Sequence, residues 1–141
     1  MTRWAIVDTG PLVALLDRAQ RHHKWCVGQA EELVPPMLVC EPVLVETLFL
    51  LNRKADAQDA IFDLLATGVL RMVFHLDEHL REVRGLLRKY QDKPISLADA
   101  CLVRMAELYK QHFIFTLDSD FKVYRRFGRE PLNLIFPERC K

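Results

Sequence analysis

The sequence lacks the patterns that are typical of a transmembrane helix, a signal peptide or a zinc ribbon. No apolar run approaches the roughly 18 residues that a transmembrane helix requires. Near the N-terminus the apolar run spans only residues 4–7 and ends at an acid, whereas a signal-peptide core needs about 7–15 residues. The cysteines form no CxxC pair, which disfavours a zinc ribbon or a redox motif, and they stand at positions 26, 40, 101 and 140. We therefore expect a cytoplasmic protein with free thiols.

The sequence also has almost no excess of one sign of charge over the other. Lys and Arg number 20 and Asp and Glu number 19, which gives a formal net charge of +1. This balance excludes a strongly basic protein that coats nucleic acid, but it leaves room for an enzyme with a local basic face. With 141 residues, half of them hydrophobic, and no repeat or linker, we expect one globular domain over residues 1–141.

Short apolar runs alternate with longer amphipathic stretches along the chain. The runs predict strands at residues 4–7, 37–40, 70–74, 113–117 and 132–136. The stretches predict a helix from Pro11 and further helices over residues 19–33, 42–52, 55–66, 77–90, 96–110 and 118–127. This alternation favours an α/β fold, a three-layer α/β/α sandwich around a mostly parallel sheet of four to five strands.

Two acids follow predicted strands directly. Asp8 follows the first strand and Asp118 the fourth, and ligands of open parallel sheets bind beyond the carboxyl ends of the strands. Each acid also suits a turn or a helix N-cap, so neither position is decisive alone. Asp120 competes with Asp118 for the same place, and Thr116 directs a hydroxyl toward it.

Two further acids stand in predicted helices. Glu46 is the only charged residue between positions 42 and 52, and a buried lone carboxylate costs several kcal/mol, so it needs a metal, an Arg partner or a raised pKa unless it sits at an exposed helix edge. Asp99 lies three residues after Ser96, which is the spacing of a capping box. The small neighbours Ala98 and Ala100 leave room for a ligand to approach Asp99.

Taken together, the four carboxylates predict a cation site. Acids gathered at one sheet edge repel strongly unless a hard cation lies between them, and an all-oxygen donor set suits Mg²⁺ or Mn²⁺. Such a metal polarises a phosphoryl oxygen and generates hydroxide from water.

Four segments in the same order resemble the PIN-domain family of metal-dependent ribonucleases. They are residues 5–17 (AIVDTGPLVALLD, with RHH at 21–23), 43–47 (VLVET), 95–100 (ISLADA) and 115–121 (FTLDSDF). The resemblance implies a central parallel sheet and hydrolysis of RNA by water, which leaves a 5′-phosphate and a 3′-hydroxyl. At this chain length it further resembles the toxin component of VapBC-type toxin–antitoxin modules, which implies a homodimer silenced by a small antitoxin.

Carried onto this sequence, the resemblance implies a role for each acid. Asp8 and Asp99 would be principal metal ligands, and Asp118 would join them as the fourth acid, with Asp120 as its competitor. Glu46 would complete the site through a water or by orienting and deprotonating the nucleophile. Thr9 and Thr116 would hold waters or carboxylates beside the metal.

Basic residues gather late in the chain around Tyr124 and Phe127. Lys122, Arg125 and Arg126 would form a phosphate-contacting rim with an aromatic side chain for base stacking, or else the solvated face of a terminal helix.

Two other functions compete with the nuclease. A phosphatase-like hydrolase with Asp8 as nucleophile usually needs a second Asp two residues on, where this chain has Gly10. A non-catalytic RNA- or protein-binding module on the same fold would typically have lost one or more of the four acids, and all four are present.

Overall fold

A computed structural model describes residues 3–138 of the chain. Its strands are β1 (Ala5–Val7), β2 (Met37–Val39), β3 (Leu70–Met72), β4 (Phe113–Phe115), β5 (Arg125–Arg126), β6 (Glu130–Pro131) and β7 (Leu134–Ile135). Its α-helices are α1 (Thr9–Leu16), α2 (His23–Ala30), α3 (Glu41–Leu50), α4 (Ala55–Thr67), α5 (Leu80–Lys89) and α6 (Leu97–Leu108). Short 3₁₀ turns cover Leu76–Glu78 and Ser119–Lys122.

Five strands form a sheet in the order β3-β2-β1-β4-β7, and every pairing in it is parallel. Strand β1 is central, with Ile6 opposite Leu38 on one side and Ile114 on the other. The helices between the strands cover the sheet and complete the three-layer α/β/α sandwich that the alternation predicted. The carboxyl ends of β1 and β4 therefore meet at one edge.

The central strands are the most deeply buried part of the molecule. Ala5, Ile6 and Val7 are all inaccessible to solvent, as are Ile114 and Phe115 on the neighbouring strand. A strand buried on both faces reads as a continuous apolar run, which is why the sequence pattern located it correctly.

Local capping fixes the two helices that begin at this edge. The Asp8 carboxylate accepts a hydrogen bond from the Thr9 backbone N–H and caps α1, and Pro11 lies in the first turn. Ser96 caps α6, because its hydroxyl accepts a hydrogen bond from the Asp99 backbone N–H at 3.0 Å. Both caps place a carboxylate at the same edge of the sheet.

Two predicted helices are wrong in part. The helix expected over residues 118–127 is a single 3₁₀ turn followed by the β5–β6 hairpin, in which Phe127 and Gly128 both have positive φ. The helix expected over residues 19–33 is shortened to α2, because the Asp17 side chain accepts from the Ala19 backbone N–H and holds the preceding residues in a turn.

Within residues 3–138, no helix is long and apolar enough to cross a membrane. Cys26, Cys40 and Cys101 are buried free thiols. Cys140 lies outside the described residues.

Candidate active site

One cavity at the carboxyl edge of the sheet has all four predicted acids in its wall. Its volume is about 700 Å³. Asp8 follows β1, Asp118 follows β4, Glu46 projects from α3, and Asp99 lies in the first turn of α6. Residues separated by up to 110 positions in the sequence are therefore neighbours around one space.

Asp8 is the most deeply buried of the acids, with 6% of its surface exposed. One carboxylate oxygen accepts from the Thr9 N–H at 2.7 Å, and the other accepts from the Thr116 hydroxyl at 2.7 Å. Burial raises the pKa of Asp8 to about 6; these hydrogen bonds oppose the rise, and repulsion from Asp118 and Glu46 adds to it. The carboxylate is thus rigidly held in a place that favours a compensating cation.

Asp99 is half-buried and carries the largest rise among these acids. Burial raises its pKa to about 7, with repulsion from Asp8 and Asp118 adding to that rise. The Tyr124 hydroxyl donates to Oδ2 of Asp99 at 3.3 Å. The Tyr124 ring is buried, and the rings of Tyr90 and Phe121 pack edge-on against it. Asp99 is therefore held by a side chain that itself has little freedom to move.

Glu46 is exposed in the structure, on the solvent-facing side of α3. Although α3 is apolar along most of its length, Val45 and Phe49 are both 69% exposed, and Glu46 lies on the same solvent-facing side. Its carboxylate is not buried alone in an apolar helix, so the expected desolvation does not arise. The Thr9 hydroxyl instead donates to Oε1 of Glu46 at 2.9 Å and fixes it at the rim of the cavity.

The geometry separates Asp118 from its competitor Asp120. Asp118 lines the cavity, and one of its oxygens accepts from the Asp120 backbone N–H at 2.9 Å. The Asp120 carboxylate forms an ion pair with Lys93 at 3.0 Å and is absent from the cavity wall. The arrangement favours Asp118 as the fourth acid.

The two threonines connect the acids to one another. Thr116 is fully buried, donates to Asp8, and accepts from the Asp118 backbone N–H at 3.0 Å. Thr9 joins α1 to Glu46 on α3. Both hydroxyls therefore orient carboxylates, as the resemblance implied.

The donor set fits a hard divalent cation. The wall offers carboxylate and hydroxyl oxygens and contains no Lys or Arg from the described residues. In that part of the chain, no three acidic, His or Cys side chains converge into a ready-made ligand cluster. A cation here would bind through one or two carboxylates and keep several waters, which is how Mg²⁺ usually binds.

Comparison with known proteins decides the family. A family model described as the PIN domain matches residues 5–126. The chain belongs to the PIN-domain family. This PIN domain is 31% identical over 127 residues to the ribonuclease VapC26 of Mycobacterium tuberculosis, a match that covers 87% of the chain and 93% of the relative.

A solved structure has the same fold. The crystal structure of VapC20 from Mycobacterium tuberculosis, a toxin that cleaves the sarcin–ricin loop, superposes with a TM-score of 0.74 at 21% identity. The match covers 84% of this PIN domain and 93% of that chain. It confirms the three-layer sandwich predicted from the sequence.

The predicted basic rim is wrong for Arg126. This side chain is 6% exposed, and its guanidinium donates to the Ala106 carbonyl at 3.0 Å and to the Glu130 carboxylate at 2.6 Å. It ties the hairpin to α6 and does not face solvent. Tyr124 is likewise unavailable for base stacking, because it lies buried beneath Asp99.

The other two residues of that rim are more accessible. Arg125 is half-buried, and one of its nitrogens donates to three backbone carbonyls, including that of Lys122 at 2.9 Å. Lys122 is exposed and lies 4.4 Å from the centre of the Phe136 ring. Contact of Lys122 and Arg125 with RNA stays a prediction.

Two residues of the PIN-domain site are not predicted by the sequence. Tyr124 is expected at the surface of a helix, and only the fold brings its hydroxyl to Asp99. Gln20 lines the cavity from the turn between α1 and α2. No spacing in the sequence marks either contact.

Proposed function

We propose that this PIN domain is a divalent-metal-dependent endoribonuclease and the toxin of a toxin–antitoxin pair. The observation that carries the proposal is the convergence of Asp8, Glu46, Asp99 and Asp118 on one cavity, to whose wall residues 3–138 contribute no basic side chain. The raised pKa values of Asp8 and Asp99 support it, because burial and, to a lesser extent, repulsion between the acids disfavour their ionised forms, and a bound cation would offset both.

The chain's own residues suggest how Mg²⁺ or Mn²⁺ would be held. Asp8 and Asp99 would be the principal ligands, with Asp118 beside them, and the metal would supply Lewis acidity at a phosphoryl oxygen and a lowered pKa for its water. Thr116 and the Thr9 N–H hold Asp8 in a single orientation. Tyr124 does the same for Asp99.

The position of Glu46 supports a role in proton transfer. Glu46 is exposed on α3, lines the acidic cavity, and accepts a hydrogen bond from the Thr9 hydroxyl through one carboxylate oxygen. In the proposed reaction Glu46 accepts the proton of the attacking water, whose oxygen bonds to phosphorus. The bond from phosphorus to the 3′ oxygen breaks, and that oxygen takes up a proton from solvent water, which leaves a 3′-hydroxyl and a 5′-phosphate.

The toxin assignment comes from relatives. VapC26 is named a ribonuclease and VapC20 a toxin, and the chain spans 93% of each. From them we infer an RNA substrate and a small antitoxin as partner. The homodimer and the cytoplasmic location stay predictions from the sequence.

The test is cleavage of a mixed RNA pool by the purified protein with Mg²⁺, Mn²⁺ or EDTA. We expect cleavage with metal, no cleavage with EDTA, and loss of cleavage in Asp8→Asn and Asp118→Asn. Asp120→Asn is the matched control and should retain activity, since its carboxylate pairs with Lys93. Cleavage that persists in Asp8→Asn would contradict the proposed metal site, and a folded protein that cuts no RNA under any metal would favour a binding module.

A further inference from the structure

A second cavity lies close to the acidic one, and the described residues of its wall include three cations and two acids. Its volume is about 670 Å³, and its wall consists of residues 16–18 at the end of α1 and residues 53–57 at the start of α4. We call it the basic cavity. Arg18, Arg53 and Lys54 are its three cations.

The charge around the basic cavity extends beyond its wall. Residues 18–24 contain Arg18, Arg21 and Lys24, all exposed, together with two histidines and no acid. Across the cavity stand Arg53 and Lys54, both exposed as well. Arg18 from the first segment and Arg53 and Lys54 from the second thus line one cavity, although the whole protein has a net charge of only +1.

Two acids, Asp17 and Asp56, also line the basic cavity, but neither forms an ion pair with Arg18 or Arg53. Asp17 is 9% exposed, and its carboxylate is occupied by the Ala19 backbone N–H at 3.0 Å and by the Gln20 side chain at 3.2 Å. Lys54 lies 3.7 Å from the same carboxylate, and Asp56 is exposed. Among residues 3–138, Arg18 and Arg53 take part in no ion pair.

Two elements connect the basic cavity to the acidic one. Gln20 lines the acidic cavity and donates to Asp17, which lines the basic cavity. On the other side, Leu50 lines the acidic cavity and Arg53, three residues further on, lines the basic one. Residues that are close in sequence or joined by a hydrogen bond thus line the two cavities, so the two cavities are neighbours.

We propose that the basic cavity binds the phosphate backbone of RNA beside the scissile bond, through Arg18 and Arg53. The inference rests on the proposed nuclease function. The acidic cavity repels a polyanion everywhere except at a bound cation, so the neighbouring phosphates need cations of their own. The unpaired guanidinium groups of Arg18 and Arg53 in the neighbouring cavity supply them, since such groups contact phosphate without reading the base.

The experiment measures RNA binding in a protein that does not cut. In the Asp99→Asn background, the affinity for a fluorescein-labelled, mixed-sequence single-stranded RNA of 20 nucleotides is measured by anisotropy over a range of KCl concentrations. The double variant Arg18→Gln/Arg53→Gln is compared with Arg84→Gln/Arg88→Gln, which removes the same charge from the exposed face of α5.

We expect the Arg18/Arg53 variant to bind about tenfold more weakly. The slope of log affinity against log salt should fall by about 1.4, because two phosphate contacts are lost at about 0.7 each for single-stranded nucleic acid. The Arg84/Arg88 control should keep the parent's slope and stay within about twofold of its affinity.

Equal affinity and slope in the two double variants would overturn the inference, as would a parent that binds no RNA. If the basic cavity binds an acidic protein segment instead of RNA, the two double variants would have equal RNA affinity and slope. Failure of the nuclease proposal looks different, because the unsubstituted protein would then bind RNA with the predicted dependence on Arg18 and Arg53 yet leave it uncut with Mg²⁺ or Mn²⁺.

Discussion

The clustered acids predict that Asp99→Asn makes the metal-free protein more stable. The pKa of Asp99 is raised from 3.8 to about 7, so the folded state disfavours the ionised carboxyl that the unfolded chain carries freely. Three pH units correspond to ~4 kcal/mol. Because Asp99 is only half-buried, solvent screening reduces this figure to about 2 kcal/mol. For a domain of this size that is a rise in Tm of roughly 5–8 °C.

The gain in stability from Asp99→Asn depends on pH. Below about pH 4 the carboxyl is protonated in both states of the wild-type protein, so the variant has no advantage. As the pH rises from about 4 to about 7, the unfolded wild-type chain loses this proton while the folded state keeps it, and the wild type is progressively destabilised. Above about pH 7 the gap between variant and wild type is constant.

Thermal melting in EDTA at pH 5 and pH 8 measures the gap directly. Asp120→Asn is the control, since its exposed ion pair with Lys93 should change stability by less than about 1 kcal/mol. Adding Mg²⁺ or Mn²⁺ at pH 8 should stabilise the wild type but not Asp99→Asn. A variant that is no more stable than the wild type at pH 8, or a gap that is as large at pH 5, would refute the reasoning.

Three further substitutions probe how the site is held. Tyr124→Phe removes the hydroxyl that orients Asp99, so RNA cleavage should slow about tenfold while the Tm measured by circular dichroism stays within a few degrees of the wild type; an unchanged rate would count against a positioning role. Thr116→Val leaves buried Asp8 without one of its two donors, so urea denaturation should show a loss of about 1–3 kcal/mol, and undiminished stability would contradict the hydrogen-bond account. Arg126→Gln should lower stability by a similar amount in the same assay yet leave RNA affinity unchanged, whereas weaker RNA binding at full stability would restore Arg126 to the RNA-binding rim.

The sequence predicts the acidic edge of the sheet well for a physical reason. The strands before Asp8 and Asp118 are apolar runs that end at an acid, and a parallel sheet brings such ends together whatever the rest of the fold does. The Ser96 cap was equally readable, because the cap and the acid share one helical turn.

Features that depend on distant contacts could not be read in this way. Arg126 looks like any surface arginine in the sequence, and its burial follows from a hairpin that brings it to the Ala106 carbonyl, 20 residues away. The exposure of Glu46 depends on which side of α3 faces the core. Because this helix is apolar nearly all round, its sequence has no distinct apolar face that would identify the buried side. The backbone at Phe127 and Gly128 has positive φ, a conformation that suits the turn of a hairpin and ends a helix.

The most direct test of the central claim is the end chemistry of metal-restored cleavage. The protein is stripped with EDTA, Mg²⁺ or Mn²⁺ is added back, and the termini of the RNA fragments are identified for wild type and for Asp99→Asn. The account predicts that cleavage returns with the metal only in the wild type, and that every new fragment begins with a 5′-phosphate. Fragments with 2′,3′-cyclic phosphate ends, or cleavage by Asp99→Asn at the wild-type rate, would contradict it.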